Sequence, residues 1–203
     1  LVQLIESLVG AIARHSPAGA AWLRAEGSRF PQAFAAAGRT LGRDEISVED
    51  CPIPWPRTGA DEVGRAALVL GAVAVLPPDQ HVTFVRDLLR RGAVRERHAV
   101  LRVLAGLPEP ARFLDLAIDA FRTNVQSVFE ALACDNAYPA RYFTSAQFAQ
   151  LVIKALLTGA PVGRIHELSS RIDAELVRMV EAYASERRAA GRPVPEDAKL
   201  ILQ

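Results

Sequence analysis

Apolar residues recur three and four positions apart along most of the chain, and the alternating pattern of a half-buried strand is almost absent. This spacing places apolar side chains on one face of an amphipathic helix, and residues 1–9 show it first. Ser16-Pro17 predicts the N-cap and first position of a second helix, which Gly27-Ser28 ends, and Pro31 opens a third. The pattern predicts an all-α protein.

The helical pattern stops between about residues 42 and 60. The run Cys51-Pro52-Ile53-Pro54-Trp55-Pro56 has proline at alternate positions, which excludes helix and favours extended backbone. Because this run is too apolar for a free linker, we expect Ile53 and Trp55 to pack against the body. We therefore divide the chain into residues 1–60, N-terminal helices with a proline-rich strap packed on the body, and residues 61–203, a helical body, and expect one continuous domain.

Three prolines divide the body at equal intervals of 31 residues, at Pro77, Pro108 and Pro139. A leucine stands seven positions before each proline. Proline lacks a backbone N–H and disfavours helix in the preceding residue, so each is expected to close an apolar helix. A second helix is predicted after each, at about residues 80–91, 111–122 and 144–158, and a last helix at about 173–190.

Helix pairs that recur in this way cannot each bury an apolar face alone, and stacking them forms one continuous core. The predicted architecture is therefore a set of stacked helix pairs, a HEAT-like right-handed helical repeat or α-α superhelix. Such stacks offer an elongated concave face for binding.

An acid and an amide interrupt this repeat. The position four before each proline holds valine, then leucine, then Asp135, and the next position holds alanine twice and then Asn136. Burying an unpaired carboxylate is costly, so Asp135 must find a partner, face a cavity or lie beyond the helix end. One hypothesis is a polar ligand site formed by Asp135, Asn136, Tyr138 and Tyr142. The alternative is a turn, because Asp-Asn-Ala-Tyr-Pro is good turn chemistry whose side-chain oxygens can cap the next helix.

Three further residues are candidates for this ligand site. Asn124 could contact a ligand, or it or Thr123 could cap the following helix. Lys154 lies in an apolar run and either extends its charge to the surface or reaches Asp135 or an anionic ligand. His166 could act as a base beside Lys154 if the chain folds back, or it could simply pack or cap. His98, which follows the charged residues 95–97, is interpreted as a surface residue.

Composition excludes several classes of function. The 24 Lys+Arg and 23 Asp+Glu nearly cancel to a formal charge of +1, which argues against a nucleic-acid partner. Gly-rich phosphate loops, catalytic-serine elbows and zinc-ligand spacings are missing, so we predict neither a cofactor nor a metal. The two cysteines do not make a disulfide framework, which favours a reduced, cytoplasmic location. No apolar stretch reaches the length that a bilayer crossing requires.

The segment that carries the candidate residues also resembles a known family. Residues 123–139 read Thr-Asn-Val-Gln-Ser-Val-Phe-Glu-Ala-Leu-Ala-Cys-Asp-Asn-Ala-Tyr-Pro and resemble the EboA family, as do residues 142–156 and the helix pattern of residues 175–192. The resemblance extends from about residue 120 to 192. Ala137 stands where family members commonly have proline before the tyrosine.

The resemblance implies a role in the handling of a metabolite. EboA-type proteins are encoded in an operon with a prenyltransferase-like membrane protein and several enzyme-like proteins, and this operon is linked to moving a pigment precursor out of the cytoplasm. We therefore expect a non-catalytic helical-repeat binding or scaffold protein that assists biosynthesis or export of a prenylated or aromatic metabolite. Its expected partners are other ebo-operon proteins, including the prenyltransferase-like membrane protein, and a small metabolite.

The alternative is an enzyme that acts on an aromatic or isoprenoid-derived metabolite. Asp135 or His166 would be its general base, and Lys154 would stabilise developing negative charge. This hypothesis requires the three side chains to converge around one pocket. The resemblance itself implies no catalytic residues.

Overall fold

Helices form nearly all the regular structure, which confirms the all-α prediction. The structure is a computed structural model that describes residues 1–202. The chain divides into two compact units, Leu1–Ala120 and Phe121–Gln203. The predicted boundary at residues 60 and 61 falls inside the first of these units.

The first unit is built from helices joined by short turns. Its helices are α1 Val2–His15, α2 Pro17–Glu26, α3 Phe30–Thr40, α4 Ala60–Val75, α5 His81–Arg91 and α6 Val94–Val103. Short 3-10 turns at Gly27–Arg29, Pro78–Gln80, Leu104–Gly106 and Pro110–Phe113 separate some of them. Helix α7, Leu114–Phe121, follows the last turn and ends on Phe121, the first residue of the second unit. Two short antiparallel strands, β1 Glu45–Ile46 and β2 Thr58–Gly59, lie between α3 and α4.

The local signals at the start of the chain are confirmed. The Ser16 hydroxyl accepts a hydrogen bond of 3.0 Å from the Gly19 N–H, and Pro17 takes the first helical position. A proline costs nothing there, because the first backbone N–H groups of a helix have no partner within it. The predicted break at Gly27-Ser28 is the 3-10 turn between α2 and α3.

Helix α4 is the centre of the first unit. It packs against α1, α3 and α6, and all its residues from Ala60 to Leu70 are buried. The helix ends at Val75, and Leu76 is extended immediately before Pro77. The longest apolar run of the sequence is therefore the core helix of this unit.

The proline-rich segment connects β1 to β2 and is not helical. The Ile53 side chain is buried and Trp55 is half-buried, as the apolar character of the strap predicts. The indole Nε1 of Trp55 is buried without a hydrogen-bond partner among residues 1–202.

The second unit contains α8 Gln126–Ala133, α9 Ala137–Tyr142, α10 Ser145–Thr158 and α11 Ala174–Ala189. Three of these helices begin with a side-chain cap: Asn136 for α9, Thr144 for α10 and Asp173 for α11. Thr144 Oγ1 accepts from the Gln147 N–H at 3.3 Å, and Asp173 Oδ1 accepts from the Leu176 N–H at 2.8 Å. Gly191 has a φ of +67°, a left-handed conformation that glycine adopts readily just after a helix end.

The third proline of the 31-residue spacing does not close a helix, contrary to the prediction. Pro77 follows α4, and Pro108 follows the 3-10 turn that extends α6. Pro139 instead lies in the first turn of α9, while α8 already ends at Ala133. Asp135 is therefore outside any helix, and its position is not equivalent to the buried Val73 within α4. The HEAT-like repeat stays a prediction.

Candidate functional site

Asp135 lies just beyond the end of α8 and pairs with Arg164. Its φ of +48° is left-handed, a conformation that aspartate tolerates better than most residues. Asp135 Oδ2 accepts a hydrogen bond of 2.8 Å from Arg164 Nε and a second one from Nη2. The hydrogen bond to Asp135 raises the pKa of the Arg164 guanidinium. Because the Arg164 side chain is 52% exposed, the pair is a surface ion pair of modest energy.

Asn136 closes the turn between α8 and α9. Its side chain is buried, and Oδ1 accepts a hydrogen bond of 2.9 Å from the Tyr138 N–H as the N-cap of α9. Its Nδ2 donates to the Ala131 carbonyl near the end of α8, also at 2.9 Å. One side chain thus satisfies backbone groups of both helices. These contacts are the ones that the turn hypothesis predicts.

The remaining aromatic and amide candidates of the second unit are distributed around this turn. Tyr138 is fully buried and Tyr142 is half-buried, with ring centroids 4.7 Å apart. Asn124 is exposed in the segment before α8. The N-cap of α8 is Val125, which makes no side-chain capping bond, so the expected capping by Asn124 or Thr123 is wrong. Thr123 Oγ1 instead accepts from the Val125 N–H at 3.1 Å.

Lys154 binds backbone carbonyls at the end of α7. Its Nζ donates to the Phe121 oxygen at 2.5 Å and to the Thr123 oxygen at 2.7 Å. The ammonium also lies 5.1 Å from the ring centroid of Phe121 and 4.8 Å from that of Phe129. Burial lowers the pKa of Lys154. A cation near the backbone carbonyls at the C-terminal end of a helix is favourable, because those oxygens have no hydrogen-bond partner within the helix.

The three groups proposed for catalysis are held by three different partners. Asp135 pairs with Arg164, Lys154 donates to two carbonyls, and His166 Nε2 lies 3.1 Å from Glu167 Oε1. Within residues 1–202, no hydrogen bond or ion pair joins any two of the three. The convergence that the enzyme hypothesis requires is not present in these contacts. The proposed ligand role of the seven candidate residues stays a prediction.

A cavity of about 660 Å³ lies within the first unit. It is bounded by α1, α2, α4, α5 and the turn that leads into α3. Its lining is apolar except for Arg24 and Ser28 and consists of Ile5, Val9, Leu23, Arg24, Gly27, Ser28, Phe30, Ala67, Leu68, Gly71, Ala72, Val75, Leu76 and Phe84. We refer to it as the α4 cavity. None of the candidate residues chosen from the sequence lines it.

Small residues on α4 create the space. Ala67 and Gly71 are four positions apart on the face that lines the cavity, and Ala72 adjoins them. A Cβ atom placed on Gly71 would meet no atom within 4 Å. Phe30 and Phe84 form an aromatic wall, with ring centroids 5.0 Å apart and an interplanar angle of 63°. The cavity is open to solvent on one side, because Val75, Arg24 and Ser28 of its lining are exposed.

A buried cluster of charged side chains lies at the start of α4. Asp61 is only 1% exposed and accepts hydrogen bonds from Arg65 Nη1 at 2.5 Å and Arg95 Nε at 2.8 Å. Burial alone would raise the pKa of Asp61, but the hydrogen bonds and charges of Arg95 and Arg65 outweigh it. The pKa of this carboxyl therefore lies below its ordinary value. The carboxylate and both guanidiniums form one hydrogen-bonded unit.

Glu62 extends this charge cluster to α6. Its carboxylate accepts a hydrogen bond from Thr58 Oγ1 at 2.8 Å and lies 3.1 Å from Arg95 Nη1. His98 Nδ1 lies 3.3 Å from Glu62 Oε1, and the His98 side chain is only 12% exposed. The interpretation of His98 as a surface residue is therefore wrong. His98 can be largely buried because Glu62, at the start of α4, gives its ring nitrogen a polar partner.

The sequence contains a signal of this charge cluster. Arg95, His98 and Arg102 are spaced three and four apart, which places them on one face of α6. Asp61 and Glu62 stand next to each other immediately before the longest apolar run. Together, these two features indicate a buried ion-pair cluster. The sequence does not show, however, that α4 and α6 pack together.

Among residues 1–202, no helix combines the length and hydrophobicity that crossing a membrane requires. Groups of three or more His, Cys, Asp or Glu side chains that could hold a metal ion are likewise not found there.

Comparison with known proteins identifies the family. No curated protein and no solved structure matched the chain. A family model described as "Metabolite traffic protein EboA" matches residues 24–201, which is most of the chain. This range includes α4 and α5, much of the lining of the α4 cavity and the segment whose residues resemble that family. The chain therefore belongs to the EboA family.

Proposed function

We propose that this protein is a non-catalytic carrier that holds an apolar metabolite in the α4 cavity during biosynthesis or export. The observation that carries the proposal is the cavity itself, about 660 Å³ with an almost wholly apolar lining. Small-molecule sites in proteins are typically apolar hollows of roughly 300–1,000 Å³ with a few polar groups. The family description, metabolite traffic, supports the same role.

The chemistry of the lining favours binding over catalysis. Arg24 is its one titratable side chain, and a guanidinium keeps its proton at any ordinary pH and cannot serve as a base. Ser28 is the one hydroxyl, and no histidine or carboxylate in the lining could activate it. The site can therefore bury apolar surface and orient a ligand, but it lacks a proton-transfer group.

The identity of the metabolite and the partners belongs to the same proposal. A prenylated or aromatic compound suits a cavity that has branched aliphatic side chains and two phenylalanine rings in its wall. The partners would be other ebo-operon proteins, including the prenyltransferase-like membrane protein, and the protein would act in the cytoplasm as a helical scaffold that passes the metabolite on.

Titration with N-phenyl-1-naphthylamine tests the proposal. This neutral aromatic compound becomes fluorescent in an apolar environment, and we expect saturable binding to the wild-type protein. Gly71→Leu should abolish the binding, because the new side chain would enter the cavity. The variant should still fold, since leucine is favoured over glycine in a helix by about 1 kcal/mol.

Gly10→Leu is the matched control. Gly10 also lies within a helix, α1, but it does not line the cavity, and a Cβ there would make only ordinary contact with Arg14 at 3.7 Å. This variant should bind the probe as the wild type does. Absence of binding to the wild type, or binding that Gly71→Leu leaves unchanged, would contradict the proposal.

A double variant compares the cavity with the site predicted from the sequence. Asp135→Asn with Lys154→Met alters two of the seven candidate residues and none of the cavity lining. If the α4 cavity is the binding site, probe affinity should be unchanged. A loss of affinity comparable to that of Gly71→Leu would instead favour the predicted site in the second unit.

A further inference from the structure

The two polar side chains that line the α4 cavity come from one segment. Arg24 lies in the last turn of α2, and Ser28 lies in the 3-10 turn that follows. They are four residues apart, the spacing at which side chains of a helical segment are neighbours. The polarity of the lining is therefore concentrated at one side, and α1, α4 and α5 contribute only apolar side chains or glycine.

The charge of Arg24 is not neutralised by the protein. Within residues 1–202, Arg24 makes no ion pair, and Ser28 makes no side-chain hydrogen bond. The nearest acid of the segment, Glu26, pairs with Arg29 at 3.3 Å instead. No acidic side chain lines the cavity. This differs from Arg65 and Arg95, whose charges are neutralised by Asp61.

We infer that the α4 cavity selects an anionic amphiphile, with its apolar body along α4 and its carboxylate, sulfonate or phosphate group at Arg24 and Ser28. This inference rests on the proposed function and adds the chemical class of the ligand. A guanidinium donates several N–H groups in a plane that matches the oxygens of such anions, and the serine hydroxyl adds one more donor. Arg24 and Ser28 are exposed, so the attraction is that of a surface charge and is reduced by salt.

A pair of probes that differ by one anionic group tests the inference. The compound 1-anilinonaphthalene-8-sulfonate has the ring system of N-phenyl-1-naphthylamine with an added sulfonate. The measured quantity is the affinity for the sulfonate probe divided by the affinity for the neutral probe. The contribution of the shared rings cancels in this ratio. We expect Arg24→Gln to lower the ratio about three- to tenfold by weakening sulfonate binding while leaving the neutral probe unaffected. Added salt should lower the ratio in the wild type and not in the variant.

Arg39→Gln is the matched control. Arg39 is an exposed arginine of the same unit, in α3, and does not line the cavity. The ratio of sulfonate-probe to neutral-probe affinity in the Arg39→Gln variant should equal that of the wild type. Ser28→Ala should lower the ratio by a smaller factor than Arg24→Gln, because it removes a neutral donor and not a charge.

The outcomes separate this inference from the proposed function. If the neutral probe binds and Gly71→Leu abolishes that binding, while Arg24→Gln leaves the ratio unchanged, the anionic selectivity is wrong and the carrier role stands. A ratio that falls equally in Arg39→Gln also contradicts the selectivity, because the effect would then come from net charge. If the neutral probe fails to bind at all, the carrier role fails as well.

Discussion

The buried polar side chains of the two units have mainly different kinds of partner, although buried His81 of the first unit also bonds a backbone carbonyl, that of Leu76. In the first unit the buried charges neutralise one another, as Asp61 does with Arg65 and Arg95. In the second unit the polar side chains bind backbone groups, as Asn136 does between α8 and α9. Lys154 binds carbonyls in the same manner. A polar residue in an apolar pattern therefore indicates a group that must be satisfied, and the partner can be the protein itself.

Arg171 shows that the second unit repeats this use of cations. Its Nη1 donates to the Ala140 carbonyl at 2.7 Å and its Nη2 to the Phe143 carbonyl at 2.8 Å, at the end of α9. Its guanidinium also lies 4.7 Å from the ring centroid of Phe148. Lys154 has the same combination of two carbonyls and aromatic faces. A cation with both kinds of partner has a structural explanation that needs no ligand.

The largest effect should come from breaking the charge pairing of the first unit. Asp61→Asn leaves two guanidiniums without their buried carboxylate, and we expect it to lower the free energy of unfolding by about 3–5 kcal/mol. Asp135→Asn alters a pair whose aspartate is 29% and arginine 52% exposed, and should cost less than about 1 kcal/mol. Asparagine also tolerates the left-handed φ of position 135.

Urea denaturation followed by tryptophan fluorescence measures the first of these effects. Both tryptophans, Trp22 and Trp55, lie in the first unit, whereas the three tyrosines lie in the second. The Asp135→Asn loss is read from far-UV circular dichroism, which reports both units. Equal losses for the two variants would show that the units do not differ in how they use ion pairs.

The turn of the second unit should be the next most sensitive feature. Asn136→Ala removes the N-cap of α9 and the buried donor to Ala131, and should lower the free energy of unfolding by about 2 kcal/mol. Asn136→Ser keeps a neutral cap acceptor and loses the amide donor to Ala131, so the difference between the two variants reports mainly the cap. Probe binding in the α4 cavity should not change in either variant. A loss of probe affinity at unchanged stability would indicate that the turn has a ligand role after all.

The smallest effect is a pH dependence of the first unit. Burial would raise the pKa of Glu62, but hydrogen bonds from His98 and Thr58 and the charges of His98 and Arg102 outweigh it, so the pKa lies below its ordinary value. A lowered folded-state pKa means that the carboxylate stabilises the fold above the unfolded-state pKa of about 4.3. That stability is lost as the pH falls through the folded-state pKa.

Glu62→Gln makes this pH dependence measurable. The tryptophan-detected stability of the wild type should decrease as the pH is lowered from about 5 toward 3, with Asp61 contributing in the same direction. The variant should show a shallower decrease, so that the two stabilities converge at low pH. Parallel curves across this range would mean that the pKa of Glu62 is the same in the folded and unfolded protein, and would contradict the lowered pKa.

Much of the local structure could be predicted from the sequence, because it depends on neighbours in the chain. Ser16 caps α2 through an N–H three residues away, and Asp173 caps α11 in the same way. The turn at residues 135–136 was predicted as the alternative to a ligand site, and its residues make turn contacts. The family also follows from residues close in sequence, and the family model confirms it.

The interpretations that failed depended either on a contact between distant residues or on local geometry that residue spacing does not specify. His98 appeared exposed because its sequence neighbours are charged, yet Glu62, 36 residues earlier, gives it a buried partner. Pro139 matched the spacing of two helix-ending prolines, but α8 ends earlier and Pro139 lies in the first turn of α9. Identical spacing along the chain does not specify which role a proline takes, because a proline fits both after a helix and in its first turn.

By itself, the sequence determined the helical class, most helix boundaries and the family, because hydrophobic period, caps and prolines act over a few residues. Only the tertiary structure decided where an apolar cavity forms. Ala67, Gly71 and Ala72 read as ordinary core positions in the sequence, and they leave a hollow only because the residues of α1, α2 and α5 that face them do not fill it. Whether a small side chain is packed or leaves space depends on the partner across the interface, and the order of residues in one helix does not contain that information.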